Sequence, residues 1–308
     1  MSDLLEKVKG GQVIEAVFIE MVRNAMAVIR KQRTYFTTKA KLGFSGELDD
    51  VCTSADLAAQ ATYTKTLREL FPDYGIIAEE SDLREESDLR FESSASLDEA
   101  VYFTIDPLDG TKAFIRSQSH GIGTMIALVR GSEVIASCIG NVMTQELYSQ
   151  APEDAGAWRI DHLNHRQPLV PEFEQPLSQQ YALIRDRPEM HSTMVKRMLE
   201  MRANGGLCKS FQTADGSVGL SMARLWNGEV GLVVQPPTTE TPWDATPIIG
   251  INQRLNILQL QQNDDGYFVP KPYRLITSPV DQDETIYLHR SHLEEFMLWQ
   301  EKTFERFR

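Results

Sequence analysis

Ile105-Asp106-Pro107-Leu108-Asp109-Gly110-Thr111 follows without a break on the β-rich run Val101-Tyr102-Phe103-Thr104-Ile105. A strand that stops at a Pro/Gly break leaves two carboxylates, three residues apart, at its end. Gly110 and Thr111 then offer backbone N–H groups where a short helix begins. Carboxylates that face each other repel unless a cation lies between them, and an oxygen-rich site favours Mg²⁺ or Ca²⁺. N–H groups at a helix start beside a metal make a seat for phosphate. The stretch points to a metal-assisted phosphoryl site.

Spacing separates this motif from two decoys. A phosphatase with an aspartyl nucleophile of the haloacid dehalogenase type carries Asp-x-Asp-Gly-Thr, with its acids two apart. A nucleotide P-loop needs Gly-x-x-x-x-Gly-Lys-Ser/Thr, and Ile105 stands at the first glycine position. Alone, Asp-Pro-x-Asp-Gly is more often an ordinary type I turn. Partners change that balance. Ile76-Ile77-Ala78-Glu79-Glu80 is an apolar run ending in acids. Thr53-Ser54-Ala55-Asp56 places an acid near a helix start, and Pro242-Trp243-Asp244 does so again far downstream.

The order Thr-x-x-Asp, Glu-Glu, Asp-Pro-Leu-Asp-Gly-Thr, Trp-Asp resembles the inositol monophosphatase superfamily of Mg²⁺-dependent, lithium-sensitive phosphatases, over about Val13 to Ser278. The resemblance implies a layered αβαβα fold, α+β in its first half and α/β in its second. It implies two or three Mg²⁺ ions, with Mn²⁺ able to substitute. Glu79, Asp106 and the Leu108 carbonyl would hold one ion. Asp106 would bridge to another held by Asp109 and Asp244, and a weaker third would share Glu79. Thr111, paired with Asp56, would orient and deprotonate the attacking water, with Glu79 counted in the catalytic set. Gly110 and Thr111 would hold the phosphate, Asp215 and Asp244 would join them in binding the substrate, and the leaving group would lie against Asp215 and the 235–241 loop. A homodimer acting on a small phosphorylated metabolite is the implied setting.

Substrate choice is the open part. Inositol monophosphatases place a Glu seven residues before the Trp-Asp aspartate, where Pro237 stands here. Asp109–Ile115 with Asp215 looks more like the histidinol-phosphatase-like branch, although Gln235 is neutral where that branch tends to be acidic. A 3′(2′),5′-bisphosphate nucleotidase is a further alternative, with Lys209, Arg185 and Arg187 for a second phosphate. A noncatalytic family member is the alternative from another class.

Composition sets bounds. The chain has 308 residues, 42% of them hydrophobic, and a net charge of −13. That charge disfavours binding to nucleic acid, which wants a basic face. Residues 79–99 hold nine acids against Arg84 and Arg90, and Ser81-Asp82-Leu83-Arg84 recurs at 87–90, as in an exposed insert. No run of about 18 apolar residues is present, so no membrane span is expected. No secretory leader is read at Met1–Glu6, and three cysteines suit a reducing cytoplasm.

Hydrophobic spacing predicts helices over Val13–Ile29 and Ala55–Leu70, and antiparallel strands over 121–129, 134–142 and 146–150. The Gly- and charge-rich segment 39–49 reads as a loop. The polar stretch His162–Ser178 reads as the boundary between a first unit, 1–165, with most metal ligands, and a second, 166–308, carrying Asp244. The second half alternates strands (181–184, 208–212, 229–234) with helices (189–201, 217–226, 244–251), and 291–307 reads as a terminal amphipathic helix.

Overall fold

The computed structural model describes residues 10–41, 50–80, 100–152, 154–171 and 174–307. The acidic insert 81–99 and residues 42–49 of the 39–49 segment lie outside these residues. The chain order opens with α1 (Gly10–Gln32), β1 (Thr38–Lys41), β2 (Asp50–Thr53), α2 (Ser54–Leu70), β3 (Gly75–Ala78), β4 (Val101–Asp106) and α3 (Thr111–Ile115). The meander β5 (Gly123–Arg130), β6 (Glu133–Asn141), β7 (Leu147–Gln150), β8 (Trp158–Ile160) and β9 (Arg166–Pro168) follows. Strands β3 to β9 form one seven-stranded sheet in chain order, parallel only at β3–β4.

The second half contains β10 (Tyr181–Arg185), α4 (Thr193–Met198), β11 (Ser210–Ala214), α5 (Val218–Trp226), β12 (Leu232–Gln235) and β13 (Thr238–Glu240). It continues with α6 (Pro242–Arg254), β14 (Ile257–Gln262), β15 (Phe268–Lys271), β16 (Val280–Gln282), β17 (Thr285–His289) and α7 (Leu293–Phe307). A mixed six-stranded sheet runs β11-β10-β12-β17-β14-β15.

Strand alternation makes the layers, because successive side chains point to opposite faces. Phe103 and Ile105 of β4 pack with Phe18, Val22, Ala59 and Tyr63 of α1 and α2. The opposite face of the same sheet, with Met125 and Ile139, meets Met222 of α5, Ile248 of α6, and Leu183 and Val233 of the second sheet. The far face of that sheet, with Ile184 and Leu232, is closed by Val195 of α4 and Phe296 of α7. The result is the αβαβα stack that the motif order implied. Among the described residues no helix is long and apolar enough to cross a membrane.

Several elements depart from the sequence reading. Lys39–Lys41 are strand, paired antiparallel with Asp50–Cys52, where a loop was expected. The 189–201 helix contracts to α4, because the Ser192 hydroxyl caps it by accepting from Val195 N, leaving Glu189 in a 3₁₀ turn behind. β9 ladders onto β8, so the first sheet runs past residue 165 into the stretch that reads as a boundary. Arg166 fastens it, reaching Glu15 of α1 at 3.1 Å and lying over the Trp158 ring at 4.0 Å. Strands β14, β15 and β17 lie outside the sequence reading; in β14 the side chains of Gln259 and Gln261 donate to Pro272 O and Thr285 Oγ1.

Gly140 of β6 permits the α1 contact. A Cβ there would sit 2.5 Å from Val22 Cγ1 and 2.9 Å from Met26 Sδ. Gly140→Ala should therefore cost about 1–3 kcal/mol by overpacking. The expected reading is a lower denaturant midpoint at unchanged m; an unmoved midpoint contradicts this packing.

Candidate active site

Asp106 ends β4 on the face opposite Phe103 and Ile105, which is the face α6 covers. Asp244 lies in the first turn of α6, where Thr241 is the N-cap and Pro242 occupies the first turn. The Thr241 hydroxyl donates to Asp244 Oδ2 at 2.8 Å and fixes its rotamer. Asp109 follows in the turn after β4. One oxygen from each of Asp106, Asp109 and Asp244 lies within 4.8 Å of the others.

The turn itself is strictly shaped. Leu108 N donates to Asp106 Oδ1 at 3.0 Å. Gly110 adopts φ 92°, and a Cβ on it would meet Gly121 O at 2.2 Å. Only glycine fits there. Asp109 is held from the far side: Val218 N donates to Oδ1 at 2.9 Å, Gly219 N to Oδ2 at 2.9 Å, and the Ser217 hydroxyl also donates to Oδ2. The start of α5 thus grips a carboxylate more than a hundred residues earlier in the chain.

Thr111 and Asp56 meet as the sequence suggested. Thr111 Oγ1 lies 3.1 Å from Asp56 Oδ1 and 3.1 Å from the Leu108 carbonyl. Asp56 Oδ2 in turn accepts from the backbone N–H and hydroxyl of Thr53, in a capping box at the head of α2. Asp56 is therefore both a cap and a partner of Thr111.

Glu79 stands outside the three-carboxylate cluster. Its N–H extends the β3–β4 ladder to Ile105 O at 3.2 Å. Its carboxylate pairs with Lys41 Nζ at 2.7 Å, and the same ammonium meets Glu80 at 3.0 Å and Asp50 at 3.4 Å. Glu80 is anchored through its backbone, its N–H donating to Gln60 Oε1 at 2.9 Å and its carbonyl accepting from Gln60 Nε2 at 2.8 Å. Asp215 is half-exposed and accepts from Gln118 Nε2 at 2.9 Å, with Arg116 3.8 Å away. It faces the 116–120 loop. The acid that shares a small cleft with Asp244 is Glu240, together with Gln235, Gln282 and Tyr287; the space measures about 30 Å³.

Trp243 packs with Ile77, Tyr102 and Val129. Cys52, Cys138 and Cys208 are buried free thiols. Asp161 and His165 bond to each other in an exposed turn. Lys41, Ser217 and Glu240 were missed. Ser217 had a signal, Gly-Ser ahead of an apolar helical run, but nothing local marks Lys41 or Glu240.

Electrostatics follow from burial. Burial first, then Glu79, Asp244 and Asp109, pushes the Asp106 carboxyl well above the usual range. Burial raises Asp109 against the donors on it, and burial and Asp109 raise Asp244 against Thr241. Burial lifts Asp56 to about 6, opposed by its bonds from Thr53. Burial also raises Glu79, against the pull of Lys41. Burial alone would lower Lys41, but Glu79, Glu80 and Asp50 raise it overall. Asp106, Asp109, Asp244 and Glu79, four acids that resist ionisation, form the environment a divalent cation relieves, and an all-oxygen donor set suits a hard ion such as Mg²⁺.

These shifts set a pH dependence. Each carboxyl binds its proton more tightly folded than unfolded. Their contribution to stability is therefore full below the unfolded range and is lost as pH rises through the folded values, about 6 for Asp56. Bound metal would take the place of those protons. The rise in melting temperature that Mg²⁺ produces over EDTA should grow from roughly pH 5 to pH 8. Differential scanning fluorimetry across that range checks it; a Mg²⁺ effect that shrinks with pH contradicts it.

Comparison with known proteins places this geometry. The profile of the inositol monophosphatase family matches residues 11–251. Nus factor SuhB of Vibrio cholerae is 34% identical over 109 residues, 35% of this chain and 36% of that relative. An inositol-1-monophosphatase of Rhizobium meliloti is 27% identical over 151 residues, 46% of this chain and 52% of that relative. The matched stretches thus span about half or less of these relatives' own lengths. The solved structure of an IMPase/NADP phosphatase complexed with Mg²⁺ and phosphate superposes with a TM-score of 0.68 at 16% identity, covering 94% of this chain and 95% of that one. At that identity the likeness concerns the fold. With the profile spanning most of the chain, the chain belongs to the inositol monophosphatase family.

Proposed function

We propose that the chain is a Mg²⁺-dependent phosphate monoester hydrolase that uses an activated water. The observation that carries this reading is the convergence of Asp106, Asp109 and Asp244, whose oxygens lie within 4.8 Å of one another. Glu79 and the Leu108 carbonyl complete the set that would hold the ions. Bound Mg²⁺ supplies charge neutralisation on the phosphoryl oxygens and lowers the pKa of a coordinated water.

The chain's own groups do the rest. The Gly110 and Thr111 amides open α3 beside the cluster and orient the phosphate. The Thr111 hydroxyl donates to Asp56, which leaves an oxygen lone pair to accept a proton from the attacking water. Asp56, with a pKa of about 6, is ionised at neutral pH and fit to hold that hydroxyl in place. Asp244 borders a cleft with room for about one water, and Glu240 in it gives the edge of the leaving-group space an acid that Pro237 does not. A leaving group bearing a hydroxyl or ammonium donor suits it. Asp215 would act at its rim, from the 116–120 side.

The name Nus factor SuhB, which relatives from several bacteria carry, suggests a reading as a regulator that binds partners without chemistry. The full set Asp56, Glu79, Asp106, Asp109, Thr111 and Asp244 favours catalysis, because a purely binding role does not require a repelling carboxylate cluster. A homodimer and a cytoplasmic setting belong to the same proposal, the latter in keeping with the three free, buried thiols.

Asp244→Asn should lower kcat by roughly a hundredfold or more, since it removes a charge from the metal clamp. Thr111→Ala should lower kcat by about a hundredfold with metal affinity nearly kept. Steady-state rates with Mg²⁺ titrations check both; near-normal turnover in either variant sinks the assignment. Substrate class is tested by phosphate release from inositol 1-phosphate, histidinol phosphate, sugar phosphates and 3′-phosphonucleotides. Inositol 1-phosphate should not be the best of them, and Glu240→Gln should alter selectivity among them more than it alters turnover of an aryl phosphate. A uniform loss across substrates contradicts the Glu240 assignment.

A further inference from the structure

Arg185 closes β10 as a half-buried cation between the second sheet and the carboxylate cluster. Its guanidinium makes three hydrogen bonds in a fork. Nη2 donates to Gly216 O at 2.8 Å, and Nη1 donates to Ser217 O at 2.9 Å and Ser221 Oγ at 2.8 Å. All three acceptors belong to the turn and first residues of α5, whose Ser217 hydroxyl and Val218 and Gly219 N–H groups hold Asp109. The other end of Arg185 is fixed too. Its carbonyl faces His191 Nε2 at 2.8 Å, and His191 Nδ1 faces Glu284 Oε1 at 2.7 Å, with both side chains buried. A rigid connection therefore runs from the β16–β17 turn through Arg185 to a candidate metal ligand.

We propose that Arg185 is the positioning residue of the metal site: its fork fixes the Gly216–Ser217 turn, and so sets which lone pairs of Asp109 face the cluster. This rests on the reading of Asp109 as a metal ligand. Asp109 receives three donors, which occupy the sides of its carboxylate turned toward α5 and leave the remainder for an ion. Groups that orient a ligand typically change metal affinity by about 10–100-fold when removed. A planar guanidinium suits the task because it spans several acceptors in one plane, which an ammonium cannot.

Charge and geometry make opposite forecasts. A positive group near a divalent cation repels it, so loss of charge alone would strengthen metal binding. Loss of the fork would weaken it. Arg185→Lys separates the two, keeping the charge while losing the planar span.

The test is Mn²⁺ binding by calorimetry to the full chain, with folding and the melting temperature in EDTA measured alongside. Arg185→Lys should bind Mn²⁺ about tenfold more weakly than the wild type while folded at the temperature used. In a Ser217→Ala background the same change should have a smaller effect, because one of the three donors that tie the turn to Asp109 is already gone. Wild-type affinity in Arg185→Lys, with only a lower melting temperature, overturns the proposal and leaves a purely structural staple. An undiminished effect in the Ser217→Ala background also overturns it. If Arg185→Lys does not fold, Ser221→Ala removes one acceptor and keeps the guanidinium: weaker Mn²⁺ binding supports the role and unchanged binding overturns it. A wild type that binds no Mn²⁺ overturns this proposal and the metal-site reading together. A wild type that binds Mn²⁺ but releases no phosphate overturns only the catalytic reading.

Discussion

Asp106, Asp109 and Asp244 must share one small space although each is a carboxylate and two are almost fully buried. Left to themselves they would repel or hold protons, and burial makes each ionised form still more costly. Much of the surrounding structure restrains them. Thr241 fixes Asp244, Leu108 N fixes Asp106, and Ser217 with the head of α5 fixes Asp109. These restraints come from different layers of the fold. The site can persist only while the layers are stacked.

That dependence explains the placement of small and polar residues inside the stack. Gly110 lets the turn after β4 lie against Gly121 and Ser217. Tyr63 and Thr124 meet in the core at 2.9 Å, and Thr124 Oγ1 lies 3.2 Å from the Asp106 carbonyl, so a buried polar pair supports the strand end that carries the acid. Gln60 does the same for Glu80. Buried polar groups must be paired to be tolerated, and here the pairs terminate on the backbone of the site.

Lys41 provides the complementary charge. It lies among Glu79, Glu80 and Asp50 on a two-stranded ribbon apart from both large sheets. Its ammonium balances acids that the three-carboxylate cluster does not include. The site thus has two electrostatic halves: one compensated by a cation of the chain itself, the other by hydrogen-bond donors and, in the proposed function, by metal.

Local sequence determined the strand-turn-helix at 101–115, the capping of α2 by Thr53 with Asp56, and the acid near the head of α6. In each, the controlling forces act within a few residues: strand alternation, glycine at a left-handed position, a Thr or Pro at a helix start. The motif order also carried the family and its layered fold. Tertiary structure alone decided that Lys41 neutralises Glu79, that Ser217 and Arg185 secure Asp109, and that Glu240, rather than Asp215, shares the cleft with Asp244. In β14, Gln259 and Gln261 likewise find their partners only in the fold, at Pro272 O and Thr285 Oγ1. Local patterning records which face of an element is apolar. It does not record which distant donor satisfies a buried charge, because that pairing exists only once the layers have closed.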